Sequence, residues 1–119
     1  MEINEFISPL KQSFEQAVVW HHQTNNFSEH KALNNYYDEI VPLLDGLIES
    51  IQGVYPRIGS YVLSPTVDWS EGISITYFKG LYGYVQEHRK MVYQESWIQN
   101  QIDEIVQLIA ETLYQLSLK

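Results

Sequence analysis

Four side chains able to bind a metal stand in the stretch WHHQTNNFSEHKALNNYYDEIVPLLDGLIES: His21, His30, Asp45 and Glu49. Imidazole nitrogen and carboxylate oxygen together suit iron, zinc or manganese. Asp45 and Glu49 are four residues apart, so on a helix their carboxylates fall on one side. His30 and Asp45 are fifteen residues apart, which is roughly 22 Å along a helix. One chain therefore cannot readily close this set around one ion. Two copies of the helix, crossing antiparallel about a two-fold axis, could do so, with each His30 facing the partner's Asp45 and Glu49. The competing reading makes His21 a hydrogen-bonded interior residue and the polar stripe of the second helix a solvated face.

Composition narrows what surrounds these residues. The chain of 119 residues is sized for one domain. It has no cysteine, which removes disulfides, thiolate metal sites and cysteine nucleophiles. A net charge of −8 argues against binding nucleic acid through phosphate neutralisation. The opening MEINEFISPL lacks the basic and apolar regions of a secretory signal, and no apolar run reaches membrane-spanning length. The expectation is a soluble, cytoplasmic protein with no membrane or nucleic-acid partner.

Helices must position the four side chains, and four can be read from apolar residues recurring with a period near 3.6. The first carries Phe6, Leu10, Phe14, Ala17, Val18 and His21 on one face. Ser8 and Pro9 suggest its start as N-cap and N1, and Asn25 and Asn26 suggest a turn after Thr24. The second runs from Ser28 to about Gln52, with a bend expected near Pro42. Residues 53–68 hold two glycines and two prolines and read as a long connection, with a short ordered turn around Tyr61–Leu63.

Asp68 and Glu71 have capping-box spacing for a third helix over Ser70–Tyr93. Within it, Ile73–Thr76 would also suit a strand, and Gly80 and Gly83 suggest a close backbone contact. The last helix has the cleanest stripe: Ile98, Ile102, Ile105, Ile109, Leu113 and Leu116. The expected fold is an all-α, ferritin-like four-helix bundle with a long connection between helices two and three. The sequence contains no Glu-x-x-His, which disfavours a di-iron centre built inside one bundle from such motifs.

The segment from His21 to Glu49 resembles the Dps-like branch of the ferritin superfamily, the miniferritins. In that family one subunit offers a histidine late in the first helix and another early in the second. The partner offers an aspartate and a glutamate four residues apart. His21, His30, Asp45 and Glu49 match that pattern. Asn34 stands where the family often has a further acid, and the turn between the histidines is shorter than is usual. The phrases HHQTNNFSEHKAL and ETLYQLSLK are also similar to small phage-encoded ferritin-like proteins of uncharacterised function, which would place this one in a host cytoplasm.

The resemblance implies ferrous iron bound between subunits of a homodimer or larger shell, oxidised by peroxide or dioxygen, with storage as ferric oxide as its extension. It also implies neutral imidazoles at His21 and His30, and binding that weakens at acid pH. Trp20, next to His21, would then lie near the metal. A non-catalytic bundle with a degenerate site is the alternative, motivated by Asn34. His22 reads as a surface or interface residue and His88 as a surface residue. The many tyrosines read equally as core filling and as a subunit interface.

Overall fold

The first helix, α1, spans Ile3–Gln23 in the computed structural model, which describes residues 1–118. It starts well before Ser8, because Glu5 reaches back to accept from the Glu2 N–H at 3.1 Å and serves a donor that a helix start leaves free. Pro9 then lies inside the helix and cannot donate to the carbonyl of Glu5. The Tyr84 hydroxyl donates to that carbonyl instead, at 2.9 Å. A bond from a distant helix thus replaces the missing one, so α1 runs through a proline that reads locally as a start signal.

Helix α2 spans Phe27–Val54. Its N-cap is Asn26, whose side-chain oxygen accepts from the Glu29 N–H at 2.9 Å. Pro42 lies inside α2 without ending it. Helix α3 spans Ile73–His88, and a 3₁₀ turn at Arg89–Met91 leads to α4, Ser96–Leu116. The expected capping box of α3 is not formed. Gly72 precedes the helix with a φ of 78°, and the Asp68 carboxylate accepts from Gln23 Nε2 at 3.0 Å instead. The strand-like run at Ile73–Thr76 is helical because Ser74, Phe78, Leu81 and Val85 bury along one side at helical spacing. Gly80 and Gly83 meet no atom within 4 Å of an added Cβ, so the close contact expected there is not made within the chain.

The protein is an all-α four-helix bundle; no strand occurs among the described residues. Around the core, α1 packs on α2, α2 on α4, α4 on α3, and α3 on α1. Ser28 meets Leu118, and Ser50 meets Gln101, so α2 and α4 run antiparallel. Tyr84 near the end of α3 meets Glu5 at the start of α1, so these two are antiparallel as well. Helices α2 and α3, which are consecutive, therefore run in the same direction.

That arrangement needs a crossover, and residues 55–72 supply it. The strap lies along α1 and runs in the same direction. Asn4 donates to the Ser60 carbonyl at 3.0 Å, Ser8 accepts from the Val62 N–H at 3.0 Å, and Gln12 accepts from the Ser64 N–H at 2.8 Å. Gln16 both accepts from the Val67 N–H at 2.9 Å and donates to its carbonyl at 2.8 Å. Gln23 then accepts from the Trp69 N–H at 2.7 Å. Four helical residues advance about 6 Å and two extended residues about 6.6 Å, so the two repeats nearly match. The strap contains no helical turn at Tyr61–Leu63; the α1 side chains keep it extended there.

Gln16 is 3% exposed, so its loss would leave the Val67 N–H without its partner. Gln16→Ala should cost about 1–3 kcal/mol in urea unfolding. Gln12→Ala, whose bond to Ser64 is solvent-exposed, should cost less than about 1 kcal/mol.

Candidate metal centre

The turn after α1 is short, so His21 in its last turn and His30 in the first turns of α2 face each other. Each ring bonds the other residue's backbone. His21 Nδ1 lies 2.8 Å from the His30 carbonyl, and His30 Nδ1 lies 2.8 Å from the His21 carbonyl. A carbonyl only accepts, so each Nδ1 carries the proton. In the neutral rings each Nε2 then keeps a lone pair. The rings stack with centroids 3.7 Å apart and planes 18° apart. Neither Nε2 has a hydrogen-bond partner among the described residues, and neither is a sealed, unsatisfied atom. A ring fixed by an Nδ1–H bond to a carbonyl, with Nε2 left free, is the common state of a metal-binding histidine. The same reciprocal bonds also brace the turn with no metal involved.

Tyr37 packs edge-on against His21 at 5.3 Å. Its hydroxyl donates to Asn34 Oδ1 at 3.0 Å, and Asn34 Nδ2 donates to Asp38 at 2.9 Å. Asn34 is thus a link between Tyr37 and Asp38. Asp45 and Glu49 lie farther along α2, both exposed. Because α2 is continuous between them and His30, one chain cannot gather the four residues. Among the described residues, no group of three or more His, Cys, Asp or Glu side chains could hold a metal. The structure brings the two histidines together and leaves the two carboxylates apart from them. Between the two ends, Phe14, Val41 and Asp45 line a shallow groove of about 240 Å³ on the outer side of α1 and α2.

Two features near this corner escape sequence reading. Glu29, one residue before His30, accepts from Thr24 Oγ1 at 2.5 Å, from Trp69 Nε1 at 3.1 Å and from Ser74 Oγ at 2.6 Å. It ties the turn, the end of the strap and the start of α3 to α2. Its position three residues after Asn26 is visible in sequence, but Trp69 and Ser74 lie some forty residues away. Trp20 is buried, donates to the Val67 carbonyl at 2.7 Å and packs on Tyr77, away from the histidine pair. Its role is to seat the strap.

His22 is exposed. His88 is half-buried rather than on the surface, because its Nδ1 bonds the Tyr84 carbonyl at 2.9 Å and its ring packs on Tyr84. The bundle interior holds Tyr36, whose hydroxyl meets Ser13 Oγ at 2.6 Å, and no Asp or Glu is buried among the described residues.

Fold and site together define an all-α bundle that carries a paired-imidazole corner. The chain belongs to a family of unknown function (DUF5856), which matches residues 21–116 and so includes all four candidate ligands. No curated protein and no solved structure matches it.

Burial pushes the Tyr77 hydroxyl up to about 12 and raises that of Tyr36 further, against a smaller lowering by its bond to Ser13. The unfolded chain loses these protons from pH 10 upward while the folded chain keeps them. Stability should therefore be insensitive to these groups below pH 10 and fall above it, by about 1.4 kcal/mol per pH unit for each group. Tyr36→Phe should make that fall shallower in urea unfolding between pH 9 and 11.

Proposed function

We propose that this protein is a Dps-like, ferritin-like iron-binding protein that oxidises ferrous iron at sites shared between two copies of the chain. The observation that carries the reading is the histidine pair: both rings are oriented by Nδ1–H bonds and both offer a free Nε2. The exposed Asp45 and Glu49 support it, since they remain available to a second copy. The order of helix directions with a single long crossover supports the ferritin-like assignment. In a two-fold dimer built through α1 and α2, His21 and His30 would bind iron together with the partner's Asp45 and Glu49. Two ferrous ions would give two electrons to peroxide, which takes up two protons and leaves as water; dioxygen is the alternative oxidant. Zinc or manganese would compete for the same ligands. Larger shell-like assembly and iron storage extend the same reading.

One observation favours a second reading, a non-catalytic bundle acting as a structural or interaction protein. The histidine pair is already satisfied as a brace of the turn, and Asn34 is tied to Tyr37 and Asp38.

The deciding experiment is an anaerobic ferrous titration of metal-free protein, then addition of air or peroxide, with mass followed by light scattering. Saturable binding by a dimer or larger assembly, with oxidation faster than in protein-free buffer, is the expected result. His30→Ala and Glu49→Ala should each weaken binding about tenfold or more. Glu49 is exposed, so its variant should shift unfolding free energy by less than about 0.5 kcal/mol. A folded dimer that binds no iron would select the second reading.

A further inference from the structure

We propose that the outer groove between α2 and α4 docks a cationic amphipathic helix of a partner protein. The groove has a volume of about 370 Å³, and none of the four candidate metal ligands lines it. Its floor is apolar: Leu108 is buried, Leu43 half-buried and Pro42 exposed. Four exposed carboxylates rim it, Asp38 and Glu39 from α2 and Glu104 and Glu111 from α4. No Lys, Arg or His lines it. The one ion pair among the described residues, Arg89 with Asp103, involves none of the four. Asp38 and Glu111 each accept from one neighbouring amide, of Asn34 and Gln107, while Glu39 and Glu104 have no hydrogen-bond partner among the described residues.

Charge and shape together select the occupant. Glu104, Gln107, Leu108 and Glu111 form one stripe of α4 at helical spacing, so the α4 wall is about 10 Å long, or two helical turns. A third helix lying in the groove would set an aliphatic side chain on the Leu43–Leu108 floor. Lysines or arginines one turn to either side would then reach the carboxylates. A bare cation would gain nothing from the floor, and a neutral helix nothing from the rim.

A second copy of this chain does not fit. It carries a net charge of −8, and no helix has more than one Lys or Arg: Lys11 in α1, Lys31 in α2, Lys79 in α3 and none in α4. The occupant is therefore a different, basic chain, whose approach the overall negative charge also favours.

A fluorescently labelled Leu/Lys peptide with amphipathic helical spacing serves as the probe, read by anisotropy. A scrambled peptide of the same composition and spermine serve as controls. Glu39→Gln/Glu104→Gln/Glu111→Gln removes three rim charges. Glu15→Gln/Glu71→Gln/Glu87→Gln removes three exposed charges elsewhere, and circular dichroism confirms that both variants fold. The expected result is saturable binding of the amphipathic peptide, weakened about tenfold or more in the rim variant and less than twofold in the control variant. The scrambled peptide should bind about tenfold more weakly, and spermine should compete poorly. Equal weakening in the two variants would show attraction to net charge alone. Equal binding of the scrambled peptide would remove the role of the floor. Either result, or no saturable binding, would overturn the proposal.

Discussion

The side-chain ladder between α1 and the strap is the interaction on which the arrangement of the bundle depends. Consecutive helices joined by a short turn run antiparallel, as α1 and α2 do. For α3 to run parallel to α2, the chain must first travel the length of the bundle, and residues 55–72 do so without secondary structure of their own. An extended segment exposes a donor and an acceptor at every residue, and each needs a partner or water. Asn4, Ser8, Gln12 and Gln16 supply the partners at nearly one-turn intervals, and Gln23 follows two turns on. The helix thus offers one edge of the strap what a neighbouring strand would offer.

The corner that holds the histidines inherits its geometry from the far end of that ladder. Near the end of the strap stands Trp69, whose indole donates to Glu29, and Glu29 also receives Ser74 from the start of α3. Four segments therefore meet at one carboxylate beside His30. The imidazole pair rests on this junction, with both Nδ1 atoms held by backbone carbonyls. An iron site shared by two copies would need such rigid halves, because each copy contributes only part of the ligand set.

Much of the helical content is legible from the sequence, and the exceptions share a cause. The isoleucine stripe of α4 and the long apolar repeat of α2 report their own burial, so period alone identifies them. Pro9 misleads because its remedy is Tyr84, on another helix. Ile73–Thr76 looks strand-like because β-branched residues fill it, and only the burial of Ser74 and Phe78 on one side reveals the helix. The polar ladder of α1 carries no apolar period and reads as a solvated face, although Ser8 and Gln16 are buried. At the candidate site, ligand types and spacing are visible in sequence. The reciprocal ring-to-carbonyl bonds are not, because they depend on how tightly the turn closes.

The strap also constrains the order in which this chain can fold. The hairpin of α1 and α2 closes through a three-residue turn and rests on local contacts, which form quickly. The strap has no hydrogen-bonded partner strand and cannot nucleate alone. Its acceptors converge only once α1 is wound, since a disordered chain does not hold Ser8, Gln12 and Gln16 in register. The N-terminal helix, once wound, thus presents these side chains in the register that the strap needs. Damage to the first helix would therefore strip the strap of its partners, and the loss would be felt well beyond the helix itself.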